Sequence, residues 1–205
     1  MKILMTDTGK RFNRDWIFRH FNYAFQERGR YAITGHNGSG KSTLLQVISG
    51  AILLNEGNCS YEIKGKAVAS EDQFRYVSIC APYLELIEEM NADEFLDFHS
   101  TFKPLQYGIS KKEILSIVGL SMTAKKQIRF FSSGMKQRLK LAQAVFSESP
   151  VLLLDEPCTN LDKNGIELYL HLIQTYCKEK IIIVSSNDET EYQFCDVIIS
   201  VQDYK

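Results

Sequence analysis

Apolar residues recur along this chain with two different periods. Phe21, Tyr23 and Phe25 fall at every second position, the spacing of a strand with one buried face. Asp15-Trp16-Ile17-Phe18-Arg19 reads as a separate strand just before it, and Phe74 to Cys80 as another. Tyr31-Ala32-Ile33-Thr34 is a short apolar run that stops at Gly35. Val151-Leu152-Leu153-Leu154, after Pro150, and Ile181 to Val184 are continuous apolar runs. Such runs fit central parallel strands covered on both faces. Helical spacing appears elsewhere: Phe95, Phe98 and Phe102; then Ile114, Ile117 and Val118; then Leu139, Ala142, Val145 and Phe146. Lys41 to Ile48 reads as a helix ended by Gly50. A helix from about Asp162 to Cys177 would cross over between the two apolar strands, making a βαβ unit. Residues 1–34 otherwise mix short apolar and turn-like polar stretches.

The pattern predicts one α/β domain. Its core is built from residues 1–90 and 149–205, with a helical subdomain inserted at about 91–148. Phe95, Phe98 and Phe102 are expected in the core of that subdomain. The 205 residues are 44% hydrophobic and 24% charged, close to an ordinary globular protein and unlike a disordered chain, a collagen repeat or a coiled-coil rod. Lys plus Arg number 24 and Asp plus Glu 25, for a net charge of -1. No global basic surface points to nucleic acid. The longest apolar runs fall far short of the roughly 20 residues that span a bilayer. Asp7 interrupts the start before any signal-peptide core forms, so a cytoplasmic chain is expected. The five cysteines show no C-x-x-C and the four histidines no ligand spacing. Reduced thiols, rather than disulfides or zinc, are the expectation.

Chemistry enters at Gly35-His36-Asn37-Gly38-Ser39-Gly40-Lys41-Ser42-Thr43. This is G-x-x-x-x-G-K-[ST] between a predicted strand and a predicted helix, the context a phosphate loop requires. Glycines let the backbone curl so that successive N–H groups point at phosphate oxygens. The following helix presents its positive end. Lys41 can reach the β- and γ-phosphates, and the Ser42 hydroxyl can ligate Mg²⁺. The chain is therefore expected to bind ATP with Mg²⁺. A second signal is Asp155-Glu156-Pro157 at the end of the Val151–Leu154 run. It places two acids at the carboxyl end of a parallel sheet, where ligands bind in open α/β folds. Asp155 is the candidate Mg²⁺ ligand, and Glu156 the group that orients or deprotonates an attacking water.

A third segment, Phe131-Ser132-Ser133-Gly134-Met135-Lys136-Gln137-Arg138, precedes Asp155 by a short helix. It resembles the signature motif of ABC ATPases. The phosphate loop, this segment, Leu154-Asp155-Glu156-Pro157 and Asn160-Leu161-Asp162 resemble that family in order and spacing, across essentially the whole chain. The resemblance implies a P-loop NTPase fold of the ABC type: a mixed sheet core with N-terminal antiparallel strands and an inserted helical subdomain. It implies two such domains, most simply a homodimer, sandwiching two ATP molecules, with Ser132 and Gly134 of one protomer meeting the γ-phosphate on the other. Ser132 offers a hydroxyl, Gly134 a backbone N–H, and the helix behind them its positive end. It also implies a separate transmembrane permease subunit, holding this chain at the inner face of the cell membrane.

Outside the signature segment, where Ser133 and Met135 replace the usual glycine and glutamine, two positions depart from that family. Ser185-Ser186-Asn187-Asp188 stands where a switch histidine is usual; Asn187 is the preferred equivalent and Ser186 the alternative. Asn can donate to a phosphate oxygen but carries no titratable proton. The family's glutamine after the Tyr76–Cys80 segment is missing, and Ala81-Pro82-Tyr83 follows instead. Phe12, 23 residues before Gly35, is the candidate adenine-stacking aromatic, with Trp16 its competitor. Pro82 to Met90 lies where the family docks its membrane partner. The leading expectation is thus the ATP-hydrolysing subunit of a transporter. The alternatives are a soluble ABC ATPase in cofactor assembly or macromolecular remodelling, and a regulatory module that binds ATP and barely turns it over.

Overall fold

The computed structural model describes residues 1–205. β1 (Lys2–Phe12) and β2 (Asp15–Phe25) pair antiparallel through a tight turn at Asn13. β3 (Arg30–Thr34) leads through the phosphate loop into α1 (Lys41–Ile48). β4 (Glu56–Ile63) and the two-residue β5 (Lys66–Ala67) complete a four-stranded antiparallel sheet in the order β2-β1-β4-β5. β6 (Val77–Cys80) follows a 3-10 segment, Ser70–Tyr76. Then come α2 (Ala92–Phe102), α3 (Lys111–Ile117), α4 (Ser133–Phe146), β7 (Val151–Asp155), α5 (Lys163–Tyr176), β8 (Ile181–Ser185), the short α6 (Glu189–Tyr192) and β9 (Val197–Ser200). The second sheet is parallel throughout, in the order β6-β7-β8-β3-β9. Antiparallel and parallel strands therefore lie in two separate sheets.

The alternation along β7 and β8 explains why both strands are apolar at every position. Leu152, Leu154, Ile182 and Val184 face a core shared with α2, α3, α4 and α5. Val151, Leu153, Ile181 and Ile183 face a second core shared with α1 and the antiparallel sheet. A strand covered on both faces by apolar layers offers few positions to a polar side chain before its end. The polar residues resume at Asp155 and Ser185, side by side in the parallel register. The β7-α5-β8 crossover is the predicted βαβ unit. The helices are capped as their sequences demand. Asn91 with Glu94 and Ser110 with Glu113 form capping boxes on α2 and α3, and Asp162 caps α5.

Several expectations change. Asp15–Arg19 and Phe21–Phe25 are one strand, because pairing with β1 continues past His20 despite its positive φ of 56°. Phe74–Tyr76 are not strand. The acid-rich Ser70–Gln73 opens a 3-10 turn that runs through Tyr76, and Phe74 is exposed. Phe98 and Phe102 are not core. Ala92, Phe95 and Leu96 take the inward face of α2, leaving Phe98 and Phe102 exposed and stacked edge-on at 5.2 Å. β1 and β4 emerge from segments with no clear sequence pattern. All five cysteines are free thiols. No helix is long and apolar enough to cross a membrane.

Candidate functional site

The carboxyl ends of β3, β7 and β8 meet at the phosphate loop. Gly35, Gly38 and Gly40 have φ of 144°, 77° and 108°, left-handed values that favour glycine. At Gly40 space is a second constraint, since a Cβ there would collide with Ile17 on β2. The antiparallel sheet thus braces the loop from behind. Lys41 is buried at 6% exposure, and its Nζ donates to the carbonyls of Gly35 at 2.7 Å and His36 at 3.3 Å. Ser42 and Thr43 follow in the first turn of α1. That turn holds no acidic residue, so nothing offsets its positive end.

Asp155 is 2% exposed. Its Oδ1, Ser39 Oγ and Ser185 Oγ are all buried without a hydrogen-bond partner in the protein. Buried polar atoms are ordinarily paired; Asp155 and Ser185 stand side by side at the ends of β7 and β8, and Ser39 belongs to the phosphate loop that follows β3. A ligand with its own polar atoms or a cation there would satisfy them. The donor set of hydroxyl and carboxylate oxygens suits a hard divalent cation such as Mg²⁺. Glu156 is exposed, has φ 43°, and donates its N–H to the Ser185 carbonyl at 2.9 Å. Its side chain therefore leaves β7 at a sharp turn beside Asp155.

Asn187 Nδ2 donates to Asn37 Oδ1 at 3.0 Å, which brings the turn after β8 onto the phosphate loop. Ser186 is buried, and its Oγ accepts from the Asp188 N–H at 2.9 Å. Of the two switch candidates, Asn187 is the one in contact with the loop. Burial raises the Tyr83 phenol above its usual range, an effect that neighbouring Gln46 opposes and the Asp155 charge reinforces. An aromatic hydroxyl thus stands near Asp155 and Gln46.

The other predicted residues lie apart from the loop in the single chain. Ser132 caps α4, its Oγ accepting from the Met135 N–H at 3.3 Å. Gly134 packs against the carbonyl of Asn160, with room for a Cβ only at 3.2 Å. Neither Ser132 nor Gly134 hydrogen-bonds to residues 35–43. Phe12, at the tip of the β1–β2 hairpin, is 49% exposed, with Lys10 Nζ 5.0 Å from its ring centre. Trp16 lies against Arg19 and Arg11, with guanidinium carbons 4.5 and 5.5 Å from its ring. Within Pro82–Met90, Leu86 is buried and Ile87 and Met90 pack on the core, which leaves Tyr83 as its exposed large apolar side chain. The segment borders a polar groove of about 440 Å³ lined in part by Glu85, Glu88, Lys136 and Lys140.

The family model described as ABC transporter matches residues 18–159. The chain belongs to the ABC transporter family. It is 32% identical over 196 residues to the uncharacterized ABC transporter ATP-binding protein YybJ of Bacillus subtilis, covering 94% of this chain and 88% of that one. Its fold matches a Pyrococcus furiosus protein described as an ABC transporter ATP-binding protein, with TM-score 0.83, 21% identity and full coverage of both chains. It also matches a bacterial ABC transporter cassette solved as a dimer, with TM-score 0.81, 20% identity, and 97% and 94% of the two chains covered. The fold is that of an ABC ATPase cassette.

Sequence reasoning passed over Gln137 and Glu191. Gln137 is 4% exposed and donates to the Pro157 carbonyl; Glu191 is 5% exposed and accepts from the Cys158 N–H. Gln137 lies within the Phe131–Arg138 segment, and nothing in the sequence around Glu191 marked it.

Proposed function

We propose that this ABC cassette binds and hydrolyses ATP to drive a separate transmembrane permease subunit, working as a nucleotide-sandwich homodimer at the inner face of the cell membrane. The observation that carries the reading is the group of unpartnered buried atoms, Ser39 Oγ and Asp155 Oδ1, beside a glycine cradle with Lys41 at its base. In this reading residues 35–43 wrap the phosphates with backbone N–H groups, and Lys41 turns from the Gly35 carbonyl to the β- and γ-phosphates. Ser42 and Asp155 hold Mg²⁺, which when bound neutralises charge on the phosphate oxygens. Glu156 accepts a proton from the attacking water. Asn187 donates to a γ-phosphate oxygen from the turn after β8, which rests against the loop at Asn37. Phe12 stacks on adenine, and Ser132 and Gly134 face the phosphates of the opposing protomer. Residues 1–90 and 149–205 serve as the nucleotide core and residues 91–148 as the helical subdomain that faces the partner.

Glu156→Gln tests the reading. It should bind ATP, accumulate as a dimer on size-exclusion chromatography, and hydrolyse roughly 10²- to 10⁴-fold more slowly, the usual contribution of a positioned base. Turnover at the wild-type rate would remove Glu156 from this role. Pull-down of the tagged chain from detergent-solubilised cells should recover a polytopic membrane protein. Recovery of soluble partners alone would favour an assembly or remodelling ATPase. A second reading, a nucleotide-binding module with slow turnover, is favoured by Asn187 alone, since an amide cannot relay a proton.

A further inference from the structure

The peptide between Pro157 and Cys158, one residue beyond Glu156, is held from both sides. Gln137 Nε2 donates to the Pro157 carbonyl at 2.6 Å, and the Cys158 N–H donates to Glu191 Oε1 at 2.7 Å. These are the two polar groups of a single planar unit, so fixing both fixes the orientation of the plane. Both side chains are at least nine-tenths buried, and water does not compete for either bond. Gln137 comes from α4, the helix that begins beside Ser132. Glu191 comes from α6, which follows the Ser186–Asp188 turn. Its own carbonyl is fixed in turn by the Tyr169 hydroxyl at 2.7 Å.

Two features show that this clamp does more than fill space. The segment it grips is strained at both ends, with Glu156 at φ 43° and Asn160 at φ 65°. Non-glycine residues keep such angles only where their surroundings over-determine them. Glu191 is also an expensive choice of acceptor. Its Oε2 is buried with no partner, and burial raises its carboxyl above the ordinary range. An apolar residue would pack there at lower cost but could not hold the Cys158 amide.

We propose that Gln137 and Glu191 act together as positioning residues. Their clamp on the Pro157–Cys158 peptide sets the direction in which Glu156 points and makes that direction depend on the placement of both α4 and the turn after β8. The catalytic consequence rests on the reading of Glu156 as the base.

The test measures three quantities on Glu191→Ala, Gln137→Ala, the double variant and Glu191→Gln: ATPase turnover, ATP affinity, and the rate at which iodoacetamide alkylates Cys158, read by peptide mass spectrometry. Each single alanine variant should lose roughly 10- to 100-fold in kcat, the effect of misplacing a reacting group by about 1 Å, with ATP affinity unchanged. Cys158, now 9% exposed, should alkylate faster as its loop is released. Glu191→Gln should recover turnover and protection, because its amide oxygen accepts the same N–H. The double variant should lose no more than the worse single variant, as expected when two groups act as a unit. The proposal is overturned if the alanine variants keep wild-type kcat, if ATP affinity falls in step with turnover, or if Glu191→Gln is as impaired as Glu191→Ala. Glu156→Gln, run alongside, separates the two claims. Wild-type turnover in that variant defeats the base assignment, whereas Cys158 protection still judges the clamp.

Discussion

Asn187 and Asn37 are joined side chain to side chain at 3.0 Å, across 150 residues of sequence. The contact links the turn after β8 to the second x-position of the phosphate loop. In the proposed reading Asn187 is the equivalent of the family's switch histidine, an uncharged amide in its place. Asn187→Ala should slow hydrolysis by roughly tenfold, about the worth of one hydrogen bond. Asn187→His should raise it above the unmodified protein, since imidazole supplies a titratable proton. Steady-state phosphate release on dimer-competent protein reads both. Fast turnover by the unmodified chain would rule out the slow nucleotide-binding module.

Lys41 has no carboxylate partner and spends its buried ammonium on two loop carbonyls. Those bonds exchange readily for phosphate oxygens. Lys41→Ala should weaken ATP binding by roughly 10- to 100-fold, the scale of one charge-assisted hydrogen bond. Titration calorimetry gives the number, and an unchanged affinity would count against the phosphate-loop reading.

Gly40→Ala meets two obstacles at once, φ of 108° and the Ile17 side chain. The strain of such a backbone in a residue with a Cβ is about 1–3 kcal/mol. The variant should melt at a lower temperature and lose most of the stabilisation ATP confers. Thermal unfolding with and without nucleotide separates the two effects. Gly38→Ala, where a Cβ meets open space, should be the milder change.

His99 is half-buried near the end of α2, with Nε2 2.7 Å from Ser147 Oγ. The Ser147 hydroxyl donates to the Gln143 carbonyl, so the ring nitrogen is the donor to it. Burial, with Lys103 nearby, lowers the His99 pKa to about 4. A histidine depressed in the fold takes up a proton more readily once unfolded. Its contribution to stability is complete above pH 6.5 and is lost as pH falls through about 4. Urea unfolding of wild type should weaken over that window, and His99→Gln should flatten it. An unchanged slope would show that His99 is solvated in solution.

Much of the site was legible because its chemistry is local. A phosphate loop needs glycines at fixed offsets from its lysine, so Gly35 to Thr43 stands out in one dimension. Asp155 and Glu156 stand out as candidates because the β7 run is apolar at every position before them. Phe98 and Phe102 misled because helical spacing shows that a face exists but not which neighbour covers it. The 3-10 turn at Ser70–Tyr76 was missed because Phe74 and Tyr76 mimic a strand's alternation.

The amino-acid order by itself determined which segments could be strands and helices, which loop could cradle phosphate, and which acids close the central strand. These follow from backbone conformation and from burial along one element. The tertiary structure decided what those elements meet: Asn187 on Asn37, Ile17 behind Gly40, and Gln137 and Glu191 on one peptide. Each of these contacts joins residues from separate elements. Only packing of the two sheets and their helices sets which side chains come within hydrogen-bonding reach.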